Sequence, residues 1–156
     1  MTKLDKIPHY TESPMYELEL TARYCRMFGA QLFQKVCNEI KPEEFAALDT
    51  ISAHDSLCQR DLARLILKDR ANTGRIVNSL EEKGYILRIN DTKNNRLVRV
   101  LKITNTGCEL LSQINNKLLD VHQTISGVLS QEDVEKMRVQ LKIVREALSK
   151  LIDIQI

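Results

Sequence analysis

A chain of 156 residues with a hydrophobic fraction of 43% fits one folded domain or a domain with extensions, and excludes a disordered protein. Aromatic residues make up only 4%, there is no Trp, and five Gly and three Pro are too few for a many-stranded sheet, so the composition points to helices around an aliphatic core. Net charge is +2 but uneven: eleven Lys and Arg against five Asp and Glu between Cys58 and Thr104 give a local +6 and leave −4 elsewhere, which reads as a face for a polyanion or as a solvated surface.

No run reaches the ~18 apolar residues that span a membrane. The opening MTKLDKIPHYTESP has no apolar core of a signal peptide. A cytoplasmic protein without a membrane segment is expected. Cys25, Cys37, Cys58 and Cys108 are widely spaced with no Cys-x-x-Cys pair, and His9, His54 and His122 are scattered. Free thiols in a reducing compartment follow, with no metal site and no cofactor. His54-Asp55, the one tight His/carboxylate pair, reads as a helix end.

In chain order, Ser13-Pro14 starts a helix, a capping side chain followed by Pro at the first helical position. It runs without a breaker to Ile40, with Leu20, Tyr24, Met27, Phe28, Leu32 and Val36 at helical spacing. Leu18, Cys25 and Phe33 widen the apolar surface, so more than one packing partner is expected. Lys41-Pro42 restarts the chain. PEEFAALDTISAHD is a second helix, with Phe45, Leu48 and Ile51 or Ser52 inward, and CQRDLARLIL a third, anchored by Leu62, Leu65 and Ile66.

Asp69 caps a fourth helix whose inward positions are Thr73, Ile76, Val77 and Leu80, and Gly84 ends it. YILRIN and RLVRVLKI then alternate as strands, joined by the polar turn DTKNN. Thr104 caps a long fifth helix, and Ser130, with Asp133 three residues on, opens a sixth. In that last helix Val134, Met137, Leu141, Val144, Leu148 and Leu151 step by alternating threes and fours. Such a narrow seam suits packing along another helix, either within the chain or, the reading placed ahead, from a partner chain.

Short helices, a basic helix and a hairpin with basic residues make up a winged helix-turn-helix. The expected fold is mainly α (α+β), with a two-stranded β wing. Domains are expected at 1–40 (N-terminal dimerisation helix), 41–104 (DNA-binding lobe) and 105–156 (C-terminal dimerisation helices). The fourth helix would read the major groove with Arg70, Asn72 or Ala71, Gly74, Arg75 and Asn78, since Arg can hold guanine O6 and N7 and Asn can hold adenine N6 and N7. Glycine costs a mid-helix position about 1 kcal/mol relative to alanine. At Gly74 that cost is read either as closer approach to the groove or as simple tolerance of a weak helix former. Lys93 and Arg96, with Asn94 and Asn95, would form a wing tip for the narrow minor groove. Arg88 and Arg99 would sit on phosphates or pair with Glu81 or Glu82.

From Lys41 to about Ile114 the chain resembles the MarR family of bacterial transcription regulators. The resemblance rests on QRDLARLI, KDRANTGRIVNSLEEKGYILR, the wing DTKNNRLVRV and KITNTGCELL, the last similar to a Leu-Thr-x-x-Gly opening of the fifth helix. It implies a homodimer formed by the first, fifth and sixth helices, bound to an inverted-repeat operator in double-stranded DNA. It also implies repression released by a small-molecule inducer or by thiol oxidation. Two departures stand out. Asn94 occupies the place of the wing Asp before Arg96, where a neutral hydrogen bond would replace a charge-assisted one. Cys58 stands where the family commonly has a capping Thr or Ser, and a thiol is a poor cap acceptor. Cys58 and Cys25 are therefore the candidate redox-sensing thiols, or else small packing residues. A winged helix that binds only protein is the alternative function, but the basic stripe of Arg70, Arg75 and Arg96 has no place in it. With no Gly-rich phosphate loop, metal cluster or nucleophile motif, an enzyme is not expected.

Overall fold

The computed structural model describes residues 9–93 and 96–152, without the side chains of Lys93, Arg96, His122 and Ile125. Contacts divide the chain into two units, Met1–Pro42 and Glu43–Ile156. In the first, a 3-10 turn at Tyr10–Glu12 leads into α1 (Pro14–Val36). Ser13 caps α1, its Oγ accepting from the Tyr16 N–H at 3.2 Å, with Pro14 at the first helical position. The helix stops at Cys37, which is extended, and does not continue to Ile40 as the unbroken sequence pattern predicts. Phe33 is buried, whereas Tyr24, Met27 and Phe28 are exposed.

The second unit contains α2 (Pro42–Ser52, its first residue shared with the boundary), β1 (Leu57–Cys58), α3 (Gln59–Leu65), α4 (Arg70–Glu82), β2 (Ile86–Lys93), β3 (Arg96–Ile103), α5 (Asn105–Ser126) and α6 (Gln131–Ser149). Ala47, Leu48, Ile51, Leu62, Val77, Leu80, Ile86 and Ile114 are buried at its centre. Ile51, not Ser52, is the inward residue of α2. In α3 the inward pair is Leu62 and Ala63, while Leu65, the last residue of the helix, is exposed. At the end of α2, His54 N–H donates to Ile51 O, so His54-Asp55 marks a helix end.

The sheet departs from expectation in two ways. It has three antiparallel strands in the order β1-β3-β2, because the short β1 pairs Leu57 with Leu101 and Cys58 with Val100. Two residues carry no legible alternation, so β1 is invisible to periodicity. The β2–β3 ladder also continues from Ile86 opposite Ile103 out to Lys93 opposite Arg96. Asp91, Thr92 and Lys93, read as turn, are therefore strand residues, and Asn94 and Asn95 lie outside the described residues.

Where α4 meets β2 the backbone is tightly specified. Gly84 adopts φ 76°, and the N–H groups of Gly84 and Tyr85 donate to Glu81 O and Leu80 O, each at 2.9 Å. This left-handed helix end is what glycine permits at no steric cost. Thr104 then ties in α5: its N–H donates to Tyr85 O at 3.0 Å, its hydroxyl donates to Gly84 O at 2.7 Å, and that same oxygen accepts from Gly107 N–H at 3.0 Å. A Cβ on Gly107 would lie 2.3 Å from Tyr85 O and 2.8 Å from Ile103 Cγ1. Thr and Gly at this spacing thus serve capping and close approach. Gly107→Ala is expected to destabilise the protein by about 1–3 kcal/mol through overpacking, and thermal unfolding of the variant measures it. An unchanged midpoint would show that the α5 start is not held this closely.

Candidate nucleic-acid interface

The geometry of α4 follows from what it buries. Thr73, Ile76, Val77 and Leu80 are buried, the four inward positions expected from spacing. Thr73 is satisfied in the core because its hydroxyl donates to Asp69 O at 2.8 Å. Arg70, Asn72, Arg75 and Asn78 are consequently exposed on the opposite side. The structure brings these four together on one helix with Gly74.

The start of α4 is set by Asp69, whose carboxylate accepts from the Asn72 backbone N–H at 2.8 Å and from Asn72 Nδ2 at 2.5 Å. The backbone and then the side-chain bond from Asn72 hold the Asp69 carboxyl below the usual carboxylate range. Its contribution to the cap is therefore fully present above the unfolded value near 3.9 and is lost as pH falls through the lowered folded value. The far end of the Asn72 amide turns to Arg75, whose Nη1 donates to Asn72 Oδ1 at 3.4 Å. A line of side chains, Asp69 to Asn72 to Arg75, thus runs along the exposed face, and it was not legible from residue types alone.

Gly74 is half-buried, not fully outward, and a Cβ placed there would meet only Gln59 Nε2, at 3.4 Å. Gln59 is the first residue of α3. Between α3 and α4, Leu67 adopts φ 51° and Lys68 N–H donates to Ala63 O at 3.0 Å. A leucine thus occupies the helix-end conformation that glycine usually fills. Cys58 stands at the N-cap of α3 without capping it, as a thiol in place of a hydroxyl predicts. Its Sγ donates to Asp61 Oδ2 at 3.1 Å, so the sulfur's partner is a carboxylate and not a cation. Cys25 is exposed on α1.

A further group fixes α4 from behind. Glu44 of α2 is buried and accepts from Ser79 Oγ at 2.6 Å and from Lys83 Nζ at 2.9 and 3.0 Å. In sequence, a Glu in the first turn of a helix reads as a surface charge favourable to the helix dipole, so nothing flagged it as a core clamp. Of the two arginines left open between phosphate contact and pairing, Arg88 pairs with Glu81 and also donates from Nη2 to Asn78 Oδ1 at 2.5 Å. Arg99 is exposed and pairs with no acid among the described residues. Lys93 and Arg96 form the last described rung of the hairpin. Among the described residues, no group of His, Cys, Asp or Glu is arranged to hold a metal, and no helix is long and apolar enough to cross a membrane.

A helix pair ending in an exposed basic helix and followed by an antiparallel hairpin defines a winged helix-turn-helix protein. Residues 40–98 match the model of the MarR family. Similar architecture extends over most of the chain in solved structures. A MarR/EmrR family transcriptional regulator from Acinetobacter sp. ADP1 superposes with a TM-score of 0.79 at 15% identity, covering 92% of this chain and 99% of that one. S. aureus MepR solved as a DNA complex gives 0.73 at 22% identity, over 88% and 97% of the two chains. The PcaV transcriptional regulator from Streptomyces coelicolor, solved with its natural ligand, gives 0.70 at 18%, over 92% and 99%. The mainly helical winged fold read from the sequence is thus the fold of this chain.

The contact distance at Gly74 is ordinary van der Waals spacing, so the glycine is not required by packing against α3. Gly74→Ala is therefore expected to raise stability by up to about 1 kcal/mol through helix propensity. Thermal unfolding measures this, and a lowered midpoint would show that the α3–α4 contact cannot take a methyl group.

Proposed function

We propose that the protein is a sequence-specific, double-stranded-DNA-binding transcriptional regulator, acting in the cytoplasm as a homodimeric repressor. The observation that carries this reading is the exposed face of α4, where Arg70, Asn72 and Arg75 stand above a fully buried stripe in a MarR-family domain. An α-helix of this kind fits the major groove, and its first two turns reach base edges. Arg75 and Arg70 are assigned to guanine edges or flanking phosphates, with Asn72 ordering Arg75. Gly74 is assigned to close approach and Asn78 to a base edge further along. Lys93 and Arg96 of the wing are assigned to the minor groove. The DNA complex solved for MepR supports the partner class.

The domain plan is a DNA-binding lobe at 41–104 between dimerisation segments at 1–40 and 105–156. Among the described residues α6 buries none of its 19 residues, and Met137, Leu141 and Leu148 of its heptad seam are exposed in the single chain, as are Tyr24, Met27 and Phe28 of α1. These apolar faces support a second copy as their cover. Release by a small-molecule inducer is supported by the ligand-bound PcaV structure, and release by thiol oxidation would use Cys25 or Cys58.

Arg75→Ala is expected to cost ~1–3 kcal/mol of binding and to relax the preference at one position of each half-site. Arg96→Ala is expected to weaken many sequences alike and to flatten the salt dependence. Selection from a random duplex pool at two salt concentrations checks both, and the selected site should be an inverted repeat with half-sites about one helical turn apart. An Arg75→Ala protein that keeps both site and affinity would remove α4 as the reader.

Light scattering should give a dimer for the full chain, and removal of the residues after Ser130 should give monomer or insoluble protein. A well-folded full-length monomer would refute the dimer. If oxidation releases DNA, the Cys25→Ser and Cys58→Ser changes should abolish peroxide sensitivity of binding. Sensitivity unaltered in the double variant would dismiss these two thiols.

A further inference from the structure

Arg88 of the wing strand β2 stands two residues beyond the buried Ile86, and therefore on the same face of the strand. From there its guanidinium reaches back onto α4. Nη1 pairs with Glu81, and Nη2 donates to Asn78 Oδ1 at 2.5 Å. Asn78 and Glu81 are neighbours on one side of the helix, a turn apart, so a single planar group grips α4 at two points. The Arg88 side chain is only 17% exposed, and its charge is matched by Glu81. It is placed as a tie between two elements and not as an open cation. The backbone bonds that join helix and hairpin lie at one end of both, around Gly84 and Tyr85. Ties at one end alone let the far part of a hairpin swing. Arg88 adds an attachment further along both elements and closes a triangle.

We infer that Arg88 is a positioning residue: its tie to Glu81 and Asn78 holds the wing at a fixed angle to α4, so that helix and wing engage one duplex together. The inference rests on the reading of α4 and the wing as the two DNA-contacting elements, and it takes Arg88 out of the set of phosphate contacts. Two contact elements held at the angle a duplex requires bind as one. A wing that swings must be ordered at each binding event, and that ordering weakens binding. A part-exposed ion pair contributes little to global stability, so loss of the tie acts on binding far more than on unfolding. The sign of the effect at Glu81 is diagnostic. An acid on a DNA-binding lobe opposes a polyanion, so on charge alone its removal strengthens binding. If Glu81 acts by holding Arg88, its removal weakens binding instead.

The experiment measures affinity for a duplex that the wild type selects from a random pool. The full-length proteins are wild type, Glu81→Ala, Arg88→Leu, Arg96→Ala, and Arg96→Ala combined with each of the other two, all assayed well below their unfolding midpoints. Glu81→Ala and Arg88→Leu should each weaken binding roughly ten-fold. The rung of Lys93 and Arg96 lies about 16 Å beyond Arg88 at ~3.3 Å per residue, far enough for independent effects to multiply. With the tie broken the wing is no longer held on the duplex, so adding Arg96→Ala should cost far less than it costs the wild type. If Arg88→Leu does not fold, Glu81→Ala decides by its sign. Binding by Glu81→Ala that is unchanged or tighter would overturn the inference. Losses for Arg88→Leu and Arg96→Ala that multiply in full would also overturn it, placing Arg88 on a phosphate of its own. A wild type that selects no duplex, or loses nothing with Arg96→Ala, would overturn the reading of helix and wing as DNA contacts, a result distinct from these.

Discussion

The backbone carbonyl of Tyr85 is the point on which α4, the wing and α5 converge. It accepts from Thr104 at the end of β3, and Gly107 of α5 approaches it so closely that no side chain fits between. One residue earlier, Gly84 in its left-handed conformation turns the chain out of α4, and its own carbonyl accepts the Thr104 hydroxyl. The hydrogen bonds are individually modest, about 1 kcal/mol each in net terms. Their effect is geometric: the end of α4, both strands of the hairpin and the start of α5 share one small set of backbone atoms. The angle between α4 and the wing is set there.

Given that angle, the rest of α4 is determined by burial. Thr73, Ile76, Val77 and Leu80 can face only the core, and Glu44 holds the C-terminal half of the helix through Ser79 and Lys83. Removing a carboxylate from water is costly unless it is paired and hydrogen-bonded, and Glu44 has both an ammonium and a hydroxyl as partners. The helix thus has little freedom to roll. Its exposed side chains are ordered in turn by charged neighbours, Asn72 by Asp69 and Asn78 by Arg88. Such order matters for an amide, because one that turns freely accepts as readily as it donates.

Most of the architecture was legible because it depends on periodicity and punctuation. The inward stripe of α4, the caps at Ser13, Asp69, Thr104 and Ser130, and the stop at Gly84 all follow local rules and stand where the spacing put them. What escaped the sequence depends on partners far along the chain. The strand β1 exists only because β3 offers Val100 and Leu101 to pair with. Glu44 looks like a surface acid until α4 is laid against it. The wing strands run on through Asp91 to Lys93, although those residues look like turn formers, because the ladder opposite them continues. At the site, residue types named the exposed face of α4, but the orientation of its amides came only from the side chains beside them.

The central claim is that a symmetric pair of α4 helices reads base edges in the major groove. Methylation interference at guanine N7 on a bound duplex tests it most directly, since N7 lies in that groove and a methyl group there blocks a contacting side chain. The account predicts two mirror-related groups of interfering guanines, with centres about ten base pairs apart. Tight binding with no interference at any guanine N7, or with a single unpaired group, would contradict it.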